Sequence, residues 1–190
     1  MNTSIEHISI EKVQQSRLSE VDFDNLTFGN TFTDHMFVCD YKDGVWQDAK
    51  IVPYGPLTIS PAAKVFHYGQ AVFEGMKAYK DDAGDVFLFR PEENFERINK
   101  SSKRMAIPEF PKEIFFEALH KLINLDKDWV QGGDGNSLYI RPFVMATQVG
   151  VSASPSDEYK FMILCCPVKA YYTGDVRVVI AQEFSRSADG

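Results

Sequence analysis

Two helical stretches opened by proline sit in the middle of this chain, with strand-period segments on both sides of them. Pro91 opens a helix to about Met105, with Phe95, Ile98, Ser102 and Met105 on one stripe. Pro108 stops it, and Pro111 opens a second helix to about Leu125, with Ile114, Phe115, Ala118, Leu119 and Leu122 at the spacing of a buried face. Hairpin strands come first, the two helices next, then more strands. That order predicts an α+β fold with a mostly antiparallel sheet and two main helices.

The strands are legible from alternation. From Thr31 to Tyr41, Phe32, Met36 and Val38 fall on one face and Phe37, Cys39 and Tyr41 on the other, as in a strand covered on both sides. Lys42-Asp43-Gly44 is a turn signal, and residues 45–54 return. Ser60-Pro61 can start a short helix, and a helix is expected over Lys64–Tyr68. A strand is then expected from about Phe73 to Lys80, paired back by residues 86–90. Residues 137–147 and 160–168 read as two more strands, joined by the Ser/Pro loop 152–157. After a turn at residues 173–175, residues 176–182 read as a final strand. The first 27 residues are polar and mixed and are expected to lie across the surface.

Composition narrows the class. Hydrophobic residues make up 44% and aromatic residues 13% of 190, enough for a packed core. The net charge of −7 argues against a general nucleic-acid binder. There is no basic start followed by an apolar run, and the longest apolar stretches fall far short of a membrane span. Three cysteines, two of them adjacent, do not form a disulfide framework and fit a reducing compartment. A cytoplasmic protein without membrane or nucleic-acid partners is expected.

The search for catalytic residues finds no Gly-rich phosphate loop and no metal spacing: His7, His35, His67 and His120 are isolated. Arg97 and Arg104 share a helix face, either as a solvated basic face or as an anion site. Arg141 interrupts the apolar run LYIRPFVMA. It must be paired, face a polar cavity, or lie on an edge strand that Pro142 would permit. The run VFHYGQAVFEGMKAYK (65–80) reads as core by its aromatics, but Gly69 and Gly75 suggest a tight turn or close approach.

That run resembles the signature of the branched-chain amino acid aminotransferases, fold type IV enzymes that use pyridoxal 5′-phosphate. So, in order, do residues 28–41, 89–108, 137–152 and 161–172, and the likeness extends from about Leu26 to Gly190. The resemblance implies an N-terminal extension (1–27), a small domain (28–173), and a linker with the first strand of a larger domain (174–190). It implies Arg97 as the residue holding the cofactor phosphate. Phe28, Tyr68, Phe73, Tyr139, Arg141, Val149 and Val151 are implied as the substrate-pocket set, with Tyr68, Val149 and Val151 serving the partner subunit of a homodimer. The loop from Arg141 to Val149 looks two residues shorter than in the animal enzymes. The implied reaction moves the amino group of L-leucine, L-isoleucine or L-valine to 2-oxoglutarate, giving L-glutamate.

The family's Schiff-base lysine lies shortly after the segment matching residues 184–190. It is therefore expected beyond Gly190, and the 190 residues alone are expected to be inactive. Lys64, Lys77, Lys80 and Lys169 read as solvent-facing or strand-end residues and as poor substitutes. Two other readings compete. One is a different type IV enzyme, a D-amino-acid aminotransferase or aminodeoxychorismate lyase. The other is a non-catalytic binding or dimerisation fragment.

Overall fold

The computed structural model describes residues 4–172, 174–180 and 182. Strands β1 (Ser9–Ile10), β2 (His35–Lys42), β3 (Val45–Pro53), β4 (Ala71–Phe73), β5 (Met76–Lys80), β6 (Val86–Leu88), β7 (Ser137–Ala146) and β8 (Tyr159–Val168) form one sheet. Its order is β1-β3-β2-β8-β7-β5-β6, with β4 also paired to β7. Every pairing is antiparallel except β1 with β3. Helices α1 (Lys64–Tyr68), α2 (Pro91–Arg104) and α3 (Lys112–Leu125) complete the fold. This is the expected α+β architecture.

Local chemistry explains the elements. Asp43 and Gly44 both have positive φ, 54° and 82°, which matches the twist of the β2–β3 hairpin. In α2, Glu92 and Glu93 lie in the first turn and Lys103 and Arg104 in the last, each sign favoured by the helix dipole. Phe95, Ile98 and Ser102 are buried as their spacing predicts, but Met105 is 39% exposed. The helix has ended at Arg104, and Ala106 at φ 54° reverses the chain, so Ile107 enters the core instead. In α3 the five expected apolar residues and Ile123 are buried.

Helices α2 and α3 cover one sheet face. There Phe110 stacks on Phe161 at 3.9 Å, with Trp46 edge-on to Phe110 at 4.8 Å. The other face carries a small cluster of Met36, Val38 and Met162 and is otherwise half-covered. Ser60 and Pro61 make a turn, and helix geometry starts only at Lys64. The expected final strand is not formed among the described residues. Residues 176–180 and 182 have no strand pairing among the described residues, and a strand cannot persist without a neighbour for its N–H and C=O groups. Ala181, and Thr173 at the expected turn, lie outside the described residues, as do residues 183–190.

The N-terminal segment adds the edge strand β1 and buries Ile8. The Asp34 carboxylate and the His35 ring fasten it. Asp34 accepts from Ser16 Oγ at 2.5 Å, the Arg17 N–H at 3.0 Å and Trp129 Nε1 at 3.0 Å. The Val13 N–H donates to His35 Nε2 at 3.0 Å, so Nδ1 carries the hydrogen given to Asp126 Oδ1 at 2.6 Å. Burial pushes the Asp34 carboxyl up, but Ser16, Arg17 and Trp129 together bring it below the ordinary carboxylate value. A depressed folded-state pKa adds stability that is present above the unfolded value and lost as pH falls through the folded one. Replacing Asp34 with alanine leaves three donors unpaired and is expected to cost about 3 kcal/mol at neutral pH. Urea unfolding at pH 7 and pH 3 checks both statements: the difference between Asp34→Ala and the parent shrinks at the lower pH.

Candidate active site

The run from Val65 to Lys80 makes three short elements. Helix α1 closes on Gly69, whose φ of 61° is the left-handed cap and whose N–H returns to the Val65 carbonyl at 3.0 Å. The expected strand from Phe73 to Lys80 is broken in two. The ladder to β7 stops at Phe73, opposite Phe143, and resumes at Met76, opposite Ile140. At the break Glu74 donates its N–H to the Pro142 carbonyl at 2.8 Å. Pro142 has no N–H of its own and is accommodated where the facing strand is interrupted. Gly75 packs on Tyr139: a Cβ there would overlap the tyrosine hydroxyl and lie 3.0 Å from Cζ.

Strand β7 has β8 on one side and β4 and β5 on the other, so the edge-strand reading of Arg141 is excluded. Its even-numbered residues, Leu138, Ile140 and Val144, enter the helix-covered core. Tyr139 and Arg141 therefore occupy the opposite face. Arg141 Nη2 donates to Tyr139 Oη at 2.7 Å, and the guanidinium lies over the Phe73 ring at 4.3 Å. Phe28 meets Tyr139 edge-on at 5.2 Å and Tyr171 at 5.4 Å. Arg141 has no ion pair among the described residues, and its buried Nε has no hydrogen-bond partner. A half-buried cation without a counter-charge, framed by aromatic rings, is the arrangement of an anion-accepting apolar site.

Arg97 lies across the Glu74–Gly75 break. Its Nε and Nη2 grip both oxygens of Glu74, the latter at 2.6 Å. Asn94 Nδ2 adds a third bond to that carboxylate at 2.9 Å. Burial pushes the Glu74 carboxyl up, and Arg97 and Asn94 outweigh it, leaving it below the ordinary value. The Arg97 side chain remains 63% exposed, so its other guanidinium edge is available to an anion. Arg104 is exposed at the end of the helix, as a solvated charge would be.

The remaining expected residues form a second group. Tyr68 Oη donates to the Val151 carbonyl, and Val149 bridges Ala63. All three side chains are exposed, Val149 and Val151 at 64% each. Among the described residues no hydrogen bond or ring contact joins this group to Arg141. A cleft of about 750 Å³ lined by Arg90, His120 and Lys127 lies elsewhere, between β6 and α3.

Two lysine readings are corrected. Lys64 is buried, 3% exposed, with Nζ donating to Ser154 O, Ser154 Oγ and Pro155 O at 2.9, 2.8 and 3.1 Å. Lys77 is half-buried in mid-strand opposite Tyr139, on the Arg141 face. Glu74 and Tyr171 escaped the sequence reading. Glu74 was visible only as one charge inside an apolar run, and nothing in spacing links it to Arg97, 23 residues on.

The fold is the type IV architecture of solved branched-chain aminotransferases. The solved branched-chain aminotransferase of the archaeon Thermoproteus uzoniensis, with norvaline, superposes with a TM-score of 0.57 at 22% identity, over 73% of this chain and 43% of that one. The T.th. branched-chain amino acid aminotransferase, solved with pyridoxamine 5′-phosphate, superposes with a TM-score of 0.51 at 27% identity, over 72% and 41%. In sequence the chain is 49% identical over 171 residues to branched-chain-amino-acid transaminase 1 of Bacillus subtilis, covering 87% of this chain and 48% of that protein. Its curated homologues are branched-chain aminotransferases, and the chain spans about half the length of those it matches. No protein-family model matches it.

Gly75→Ala is expected to displace the Tyr139 ring, break its bond to Arg141 and cost about 1–3 kcal/mol by overpacking. Thermal unfolding gives the loss, and a structure of the variant should show Arg141 turned away from residue 139. Adding Tyr139→Phe removes the overlapping oxygen and should recover part of the stability but not the Arg141 contact.

Proposed function

We propose that the protein encoded by the full reading frame transfers the amino group of L-leucine, L-isoleucine or L-valine to 2-oxoglutarate. The observation that carries this reading is Arg141: an uncompensated cation on a central strand, ringed by Phe28, Phe73 and Tyr139. Such a pocket offers apolar area to a branched side chain and a guanidinium to a carboxylate. One cavity can thereby take both leucine and glutamate. The chain's similarity to branched-chain transaminases supports the substrate class.

Pyridoxal 5′-phosphate is part of the proposal, on those relatives and on the pyridoxamine 5′-phosphate in the T.th. structure. When bound it supplies an electron sink for the α-carbon. The residues present fit its phosphate: Arg97 is exposed along one edge and immobilised along the other by a buried carboxylate. In this reading Arg97 holds the phosphate, and Tyr139 and Arg141 orient the substrate carboxylate. Phe28 and Phe73 exclude water from the reacting atoms.

Tyr68, Val149 and Val151 would cover the pocket of a second subunit, which makes a homodimer part of the reading. Residues 28–173 would form the small domain, residues 1–27 its extension and residues 174–190 the link to a larger one. A cytoplasmic location fits three cysteines that are free and buried.

The test is glutamate formation from L-leucine and 2-oxoglutarate by the full reading frame, with the 190-residue chain assayed beside it. Only the longer protein is expected to turn over. Turnover by the short chain would point to Lys77, and Lys77→Ala would then abolish it. Activity with D-alanine but not L-leucine would overturn the substrate assignment. Arg97→Ala is expected to weaken pyridoxal phosphate binding about tenfold or more, with little effect on pyridoxal, read by absorbance titration.

A further inference from the structure

The loop after β7 carries Val149 and Val151, and it is fastened at one end by backbone and at the other by the Gln70 and Tyr159 side chains. Lys64 N donates to the Gln148 carbonyl at 3.0 Å and Gly150 N to the Ala62 carbonyl at 2.9 Å. At the far end Ser156 N donates to Gln70 Oε1 at 3.1 Å, and Tyr159 Oη donates to the Ser156 carbonyl at 2.6 Å. Between these anchors, within the turn 152–155, Ser154 N donates to the Ser152 carbonyl and the Ser152 and Ser154 hydroxyls make a long contact. Among the described residues, the Lys64 ammonium makes the only hydrogen bonds from this turn to the rest of the molecule.

The lysine is unusual for its company. It has no ion pair among the described residues, and its three donors meet three neutral oxygens. An ammonium removed from water is costly unless every donor is satisfied, so the folded site is bound to keep the Ser154 and Pro155 carbonyls turned inward. Bonds from a charged donor are also stronger than neutral ones. Lys64 begins α1 and Tyr68 ends it. One five-residue helix therefore grips the loop at Ser154–Pro155 and, through Tyr68 Oη, at Val151.

We propose that Lys64 is a positioning residue for the substrate pocket. Its buried ammonium holds the 152–155 turn against α1 and so sets Tyr68, Val149 and Val151 as one surface. This rests on the reading that the loop covers a substrate pocket.

The experiment compares Lys64→Met and Ser154→Ala with the parent in the full reading frame. Hydrogen exchange is followed by mass spectrometry over residues 149–156, beside steady-state kinetics with L-leucine. Lys64→Met is expected to speed exchange in this loop about tenfold while β7 and β8 keep their protection. The KM for L-leucine should rise about tenfold, with kcat changed less than about threefold. Ser154→Ala, which removes one of the three acceptors from a surface turn, should move both readings the same way by about two- to threefold. Should Lys64→Met fail to fold, Ser154→Ala carries the test, and no change in its loop exchange overturns the proposal. Unchanged exchange in Lys64→Met overturns it too, as does faster exchange with an unchanged KM. A parent protein inactive with L-leucine removes the proposed function instead, and the exchange result alone then decides whether Lys64 holds the loop.

Discussion

The site depends on one constraint: Arg141 sits in a strand that is paired along both sides. Period-two alternation sends Leu138, Ile140 and Val144 toward the helices, leaving Tyr139 and Arg141 on the other face. A slip of one residue would drive the guanidinium into the aromatic core around Phe110 and Phe161. The register is therefore held by the cost of burying that charge as well as by the apolar residues. The helices α2 and α3 and the Arg141 pocket must therefore lie on opposite faces of the sheet.

The interruption at Glu74 and Gly75 connects the two arginines. A continuous strand there would carry a side chain into the Tyr139 ring and would leave Pro142 facing an unbroken ladder. Breaking it lets Glu74 turn its carboxylate onto Arg97 and Asn94 while Phe73, one residue earlier, stacks on Arg141. Arg97 is neutralised locally and held still. Arg141 is left without a counter-charge. Two guanidinium groups tied to one strand break, one from a helix and one from the sheet, thus carry different electrostatic work.

Much of the fold was legible because its signals are local. Pro91 and Pro111, the Asp43-Gly44 turn and the stripes of α2 and α3 act within a few residues, and the elements they mark are found close to their expected bounds. Tyr139 and Arg141 were visible as polar groups in an apolar strand. The Glu74–Arg97 pair, the Asp34–Trp129 bond and the grip of Lys64 on Ser154 were not. Their partners are 23, 95 and 90 residues apart, and no periodicity spans such gaps. Lys64 was read as solvent-facing because lysines usually are, and only the loop folded over it removes it from water.

By itself the sequence determined the class of fold, the order of its elements, its likeness to the branched-chain aminotransferases and the residue types of the apolar, cationic face. Those depend on short-range periodicity, turn chemistry and collinear motifs. Only the tertiary structure decided that Arg141 lies on a central strand without a counter-charge, that Glu74 takes one edge of Arg97, and that Tyr68, Val149 and Val151 form a surface apart from Arg141. Each of these follows from which strands and loops become neighbours, and that is set by burying one face of the sheet beneath two helices rather than by any neighbour in the chain.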